Sequence, residues 1–378
     1  MSDLSRTAAA SLLLATIALV QMSASAEAQG FIPDITISST IPGNGDVNPY
    51  GVAFVPSNFP RGGTIAPGDI LVSNFNNAPT PANPMGLQGT GTTIIQLTPN
   101  VVTPSMQALT FFTSKPIGLT TALGVLEGGF VVVGNLPNPL SAGLLQFINR
   151  NGTLVPGVAS PLIDGPWDLT IDDDQVHPTV YVSNVHVQSV TPQGVTLQGT
   201  VVRLNLTLSS NSVTLTKATM IASGYTTVTD PNAFVLAPTG LAHDKETDIL
   251  YVASTADNAI FAVPGASTRS SPPTPSTGSM IATGGQLRGP LALVLAPNGD
   301  LITSNGDAVN PDPNHPSEIV ELTKNGKFVG QFNVDPAPGG AFGIGVSMIG
   351  GGDTARLAVV DDNTNNLMVI NQNVQNVQ

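Results

Sequence analysis

Chemistry in this chain must come from carboxylates, asparagines and four histidines, because it contains no cysteine. That absence excludes a thiol nucleophile, thiolate metal sites and a C-x-x-C-H haem attachment. His177 and His315 each precede a proline, and His243 sits with Asp244, Lys245, Glu246 and Thr247 in a turn. His186 lies two residues past Asn184 and is the histidine placed best for catalysis. Asp168 stands beside Trp167, the single tryptophan, in a run of otherwise apolar neighbours. A carboxylate in such surroundings needs a partner, a metal or solvent. Asp168 and His186 are therefore the catalytic candidates, as general base or acid. No G-x-S-x-G elbow, H-E-x-x-H helix or P-loop accompanies them.

Asparagine and aspartate also recur at the ends of short apolar runs. Asn74, Asn135, Asn184 and Asn305, with Asp307 just beyond, are candidate ligand-binding residues. Asp168, Asn184, Asn305 and Asp361 could ring a divalent cation such as calcium, which takes clustered oxygen ligands. The same residue types cap strand ends and tolerate left-handed turns, so their recurrence also has a folding explanation. No EF-hand spacing is present, and the cofactor is otherwise undetermined.

The elements that position these residues form a repeat. One six-residue strand occurs six times: DILVSN (69–74), FVVVGN (130–135), TVYVSN (179–184), ILYVAS (249–254), DLITSN (300–305) and RLAVVD (356–361). Its second and third positions are always apolar, as a strand buried on both faces requires. A second signature precedes each copy: PYGVA (49–53), PIGLT (116–120), PWDLT (166–170), PTGLA (238–242), PLALV (290–294) and AFGIG (341–345). Small residues at its third position suit an innermost strand, where backbones approach closely. Asp168 replaces glycine there. A third strand follows in every unit, and a fourth in most. Four strands per unit of about 50 to 70 residues predict an all-β, six-bladed β-propeller. DITISST (34–40) supplies the outer strand that the last unit lacks, so an N-terminal strand closes the ring. A barrel or sandwich does not account for six paired signatures.

VASTADNAIFAV (252–263) and VVDDNTNNLMVI (359–370) resemble the NHL-repeat motif of strand, Asp, short Asn-containing turn and strand. The wider group this implies is the SMP-30/gluconolactonase-like and lyase-type six-bladed propellers. The resemblance implies a metal held by an Asn or Asp just before the inner-strand glycine and by an early Glu. At those positions this chain has Tyr50, Ile117 and Thr239, and no Glu in the first unit.

Residues 1–28 read as a secretory signal peptide. Arg6 precedes the apolar run 8–20, and small-x-small sites end at Ala26 and Ala28. Residues 29–378 then form one propeller domain, secreted or periplasmic, with no transmembrane segment. The net charge of −13 leaves no basic stripe for nucleic acid. Two functions follow. One is a binding scaffold that holds an envelope protein, a glycan or a small molecule in a polar funnel, with the segment 185–199 as a hairpin reaching toward a partner. The other is a metal-dependent, lactonase-like hydrolase or lyase at the central channel.

Overall fold

The computed structural model describes residues 34–98, 108–156, 158–185, 187, 196–272, 276–306, 312–349, 352 and 354–373. The expected signal segment 1–28 lies outside these residues, as do His186 and Asp307.

The described chain is a six-bladed β-propeller of antiparallel sheets. β1 (Asp34–Ser39) comes first. Blade 1 is β2 (Val47–Phe54), β3 (Ile70–Asn76), β4 (Thr93–Leu97) and β5 (Leu109–Thr113). Blade 2 is β6 (Leu119–Leu126), β7 (Phe130–Asn135), β8 (Leu144–Asn149) and the short β9 (Leu154–Val155). Blade 3 is β10 (Pro166–Asp172), β11 (Thr179–Asn184), β12 (Thr196–Leu208), β13 (Val213–Asp230) and β14 (Phe234–Leu236). Blade 4 is β15 (Pro238–Asp244), β16 (Ile249–Ser254), β17 (Ala259–Pro264) and β18 (Ser279–Thr283). Blade 5 is β19 (Pro290–Leu295), β20 (Leu301–Asn305), β21 (Glu318–Leu322) and β22 (Phe328–Asn333). Blade 6 is β23 (Ala341–Ile349), β24 (Thr354–Asp361) and β25 (Asn366–Asn373), completed by β1, which pairs with β25 from Asp34↔Asn371 to Ser39↔Asn366. The ring is therefore closed by a strand from the opposite end of the chain. Among the described residues no helix is long and apolar enough to cross a membrane.

The second strands are buried on both faces because each blade is sandwiched between two others. Leu71, Ile94 and Phe111 of blade 1 share one apolar cluster with Leu123, Val131 and Val133 of blade 2. Val132 and Phe147 of blade 2 share the next with Leu169, Val180 and Val182 of blade 3. Each such fully buried side chain contributes roughly 1.5–3 kcal/mol.

Blade 3 departs from the four-strand pattern. Its hairpin is long, and β13 runs on to pair with β14 through Val228↔Leu236 and Asp230↔Phe234. This extension folds back on the chain itself: Val235 and Ala237 join the central apolar cluster. The expected outward-reaching segment lies mostly outside the described residues.

Every inner strand has a register shift near its start, as between Pro49 and Val52, Pro238 and Leu241, and Ala341 and Ile344. This bulge aligns the blades, and it corrects one sequence assignment. In blade 2 the residue opposite the second strand's last position is Leu119, paired with Asn135, not Pro116. Thr121, not Gly118, therefore stands in the place of Gly51. Gly118 serves the preceding turn, with a φ of +79°, and a Cβ there would lie 2.2 Å from the Leu136 carbonyl oxygen.

Crowding at the axis is severe. A Cβ on Gly343 would lie 1.8 Å from the Tyr50 carbonyl oxygen of the next blade. Gly343→Ala should cost about 3 kcal/mol, because two backbones must part to admit the methyl group. Gly330→Ala, where a Cβ meets nothing within 4 Å, should be near neutral. Urea unfolding of the two variants checks both expectations.

Candidate functional site

The strand-end asparagines are the first candidates, and the structure shows what their amides do. Asn184 Oδ1 accepts from the backbone N–H groups of Asp164 (3.1 Å) and Gly165 (2.8 Å), and its Nδ2 donates to Asp164 Oδ1. Asn305 Oδ1 accepts from Arg288 N, and its Nδ2 donates to Gln286 O and Glu318 Oε1. Asn135 donates to Pro116 O and Ile117 O and accepts from Gln146. Asn74 donates to Thr40 O and Thr93 Oγ1. All four are buried. Each ties the loop before an inner strand, or the chain beside it, to the end of the second strand.

The serine before three of these asparagines has a matching task. Ser73, Ser183 and Ser304 accept through Oγ from Gly51 N, Asp168 N and Ala292 N. Those N–H groups are the ones the bulge removes from the strand ladder. The Ser-Asn dipeptide is thus a two-part clamp: serine satisfies the bulge, asparagine the loop. Sequence reasoning saw the asparagine and not the serine, although both recur.

The upper face, where the inner strands begin, was the expected polar funnel. At the axis its centre is apolar instead. Tyr50, Trp167, Leu291 and Phe342, each just before a bulge's third position, pack in one buried cluster with Phe75, Val235 and Ala237. Tyr50 stacks on Phe75 and contacts Phe342 at centroid distances of 4.6 Å, and Phe75 meets Trp167 edge-on at 5.7 Å. This plug fills the upper end of the axis.

Below the plug the six inner strands enclose a channel of about 330 Å³. Its wall carries Val52, Leu123, Leu169, Leu241, Leu293 and Ile344. Asp168 lines it immediately beneath the plug. The positions equivalent to Asp168 are Gly51, Thr121, Gly240, Ala292 and Gly343, none of them ionisable. Asp168 Oδ1 accepts from Leu169 N at 2.7 Å, and no donor among the described residues meets Oδ2. Burial pushes this carboxyl well above its ordinary pKa, with the Leu169 hydrogen bond opposing the shift. Such a group holds its proton to higher pH than an exposed aspartate does.

His243 also lines the channel, which the turn assignment missed. Its one sequence signal is a polar residue inside an apolar inner strand. The ring is already engaged, tilted at 46° against Tyr181 with centroids 4.8 Å apart and with Nε2 3.2 Å from Asp248 Oδ1.

The candidate metal ligands do not fit a divalent ion. Asn184 and Asn305 spend their amides on loops. Asp361 accepts from Asn363 N and Thr364 Oγ1 in its own turn, and burial raises its pKa. Asp168 alone reaches the channel, whereas calcium takes six to eight oxygens. Among the described residues no group of three or more His, Asp or Glu could hold a metal.

Two expectations follow. Asn184→Ala should cost about 2–3 kcal/mol, because it strands buried N–H groups, and chemical denaturation measures it. Asp168→Asn has a pH signature. The folded chain keeps a proton that the unfolded chain releases near pH 4, so wild-type stability falls as pH rises from there through the folded-state pKa. The variant should be more stable than wild type at pH 7 and equal to it below about pH 4, as read from unfolding curves at both pH values.

No family model and no curated protein sequence matches the chain. Its fold is similar to that of solved structures. These include a gluconolactonase from Xanthomonas campestris, with 12% identity, 86% of each chain covered and a TM-score of 0.51. The calcium-binding protein regucalcin from Agrobacterium tumefaciens has 13% identity, 86% of this chain and 90% of that one covered, and a TM-score of 0.51. An α-L-arabinanase from Penicillium chrysogenum has 12% identity, 91% and 99% covered, and a TM-score of 0.50. At such identity the likeness is one of fold: the chain is a six-bladed β-propeller.

Proposed function

We propose that this chain is an exported binding propeller that holds a small organic molecule in its central channel, reached from the lower face. The observation that carries this reading is Asp168. It places one carboxyl oxygen, unmet by any donor among the described residues, in a channel where Val52, Leu123, Leu169, Leu241, Leu293 and Ile344 alternate with polar groups such as Thr121, Thr170 and His243. Ligand sites commonly combine an apolar wall with a few convergent polar groups. The volume of about 330 Å³ suits a molecule of fragment size. Export is supported by the apolar run 8–20 with the small-x-small sites behind it, and by the lack of cysteine.

The raised pKa of Asp168 favours a second reading, in which that carboxyl acts without a metal as a general acid on a lactone or ester. Catalysis by this route needs a base or an oxyanion site beside it. Among the described residues the ionisable side chain that the wall offers beside Asp168 is His243, which is held by Asp248 and packed against Tyr181.

A fragment screen by ligand-observed NMR tests the binding reading. Fragments should bind the wild type and be displaced by one another. Binding should be lost in Val294→Trp, which fills the channel from a wall position away from Asp168. Binding that survives in a folded Val294→Trp protein would move the site elsewhere. Hydrolysis of simple lactones at ordinary enzyme rates, abolished in Asp168→Asn, would establish the catalytic reading instead.

A further inference from the structure

The polar groups that face the channel define the chemical class of its ligand. We infer that the molecule is a neutral amide, a primary amide or a lactam, paired through its C=O and its N–H with the carboxylic acid of Asp168. This rests on the channel reading above and narrows it.

Asp168 offers one acceptor and one donor side by side. Its Oδ1 accepts from Leu169 N at 2.7 Å, so Oδ1 is the carbonyl oxygen of the acid and the proton belongs on Oδ2. Neighbouring hydroxyls are spent elsewhere: Thr121 on β6 donates to Trp167 O, and Ser183 on β11 donates to Asp168 O. On β15 the ionisable group is His243, with Nε2 3.2 Å from Asp248 and Nδ1 3.8 Å from Asp172. Among the described residues no charged group acts on Asp168, and burial favours its neutral form. A protonated carboxyl donates one hydrogen bond and keeps acceptor capacity on its other oxygen. A primary amide or lactam carries the complementary pair, C=O and N–H, on one edge.

The wall continues that pattern. Each blade's sheet ends at its inner strand, so six sheet edges face the axis. An edge strand leaves every second residue's N–H and C=O outside the ladder. In blade 1, Val55 N donates to Asp69 O and Ala53 lies opposite Leu71, so Val52 and Phe54 turn their backbone groups to the axis. In blade 5, Ala296 N donates to Asp300 O and Val294 lies opposite Ile302, which leaves Leu293 and Leu295 in the same position. All four line the channel. Peptide groups suit a neutral molecule that both donates and accepts, and they carry no net charge to set against an ion. The mouth selects neither sign, because the lower-face turns carry Glu127, Asp173 and Asp300 beside Arg150, Lys245 and Lys324. An ion entering the channel would give up its water for no counter-charge. An amide exchanges its water for matched partners.

Benzamide, benzylamine and benzoate share one ring and separate these cases when titrated calorimetrically into the protein at pH 7. Benzamide should bind about tenfold more tightly than either charged probe. Its affinity should fall several-fold as pH rises from about 5 to about 9, because an ionised Asp168 has no proton to donate and repels the amide oxygen. Asp168→Asn, which presents an N–H and a C=O at the same edge, should bind benzamide without pH dependence. Asp168→Leu, with folding verified by thermal melting, should lose it at every pH. Tighter binding of either ion at pH 7, a wild-type affinity that does not change with pH, or a pH dependence that persists in Asp168→Asn overturns the inference. Three probes that bind alike to the wild type but not to Val294→Trp would leave the channel reading standing and remove the amide. If benzamide does not bind, the inference falls, and the fragment screen above decides the channel reading by itself.

Discussion

Six strands directed at one axis leave almost no room where they meet, and the rest of the structure answers to that constraint. At the meeting point a methyl group on Gly343 would overlap the backbone of blade 1. Small residues and bulges relieve the crowding, and each bulge withdraws an N–H from its ladder. Buried N–H groups must be paired, so Ser73, Ser183 and Ser304 are drawn to the ends of second strands to receive them. The asparagines that follow then anchor the loops. Packing geometry at the axis thus dictates polar chemistry some residues away.

The same constraint separates structural polarity from chemical polarity. A hydroxyl or amide that recurs from blade to blade is bound to recurring backbone, and the clamps leave little over for a ligand. Joints between blades use the same device: Asn258 Oδ1 accepts from Gly289 N, and Asn365 Oδ1 from Asn48 N. Both asparagines take positive φ, 47° and 55°, which this residue type tolerates. Asp168 differs in kind. Its backbone does what a glycine's does at the equivalent position, bonding to a serine across the bulge. Its side chain accepts from Leu169 N, carries a desolvation cost, and lines the channel. A group that carries a desolvation cost and departs from the repeat is where function is sought.

The apolar plug completes the logic. Large side chains before the bulge, from Tyr50, Trp167, Leu291 and Phe342, converge above the channel, and the blade 3 extension adds Val235 and Ala237. The channel is therefore closed above by the plug and opens among the turns of the lower face.

The order of residues by itself determined the all-β class, the six units, the closing strand 34–40 and the departure at Asp168. These are legible because periodicity and turn residues are local, and because a repeat states its own alignment six times. Tertiary structure decided the rest. It moved the blade 2 alignment from Pro116 to Leu119, since a bulge shifts register without altering composition. It assigned Asn74, Asn135, Asn184 and Asn305 to loops, since an amide's partners are backbone groups that no residue name reveals. It turned the upper face from a funnel into a plug, since whether side chains at an axis meet or part depends on six strands at once. It brought His243 to the channel wall, because the inner strand of blade 4 runs farther than its turn residues suggest. Sequence marks which residue breaks a pattern; only the folded ring shows what space that residue faces.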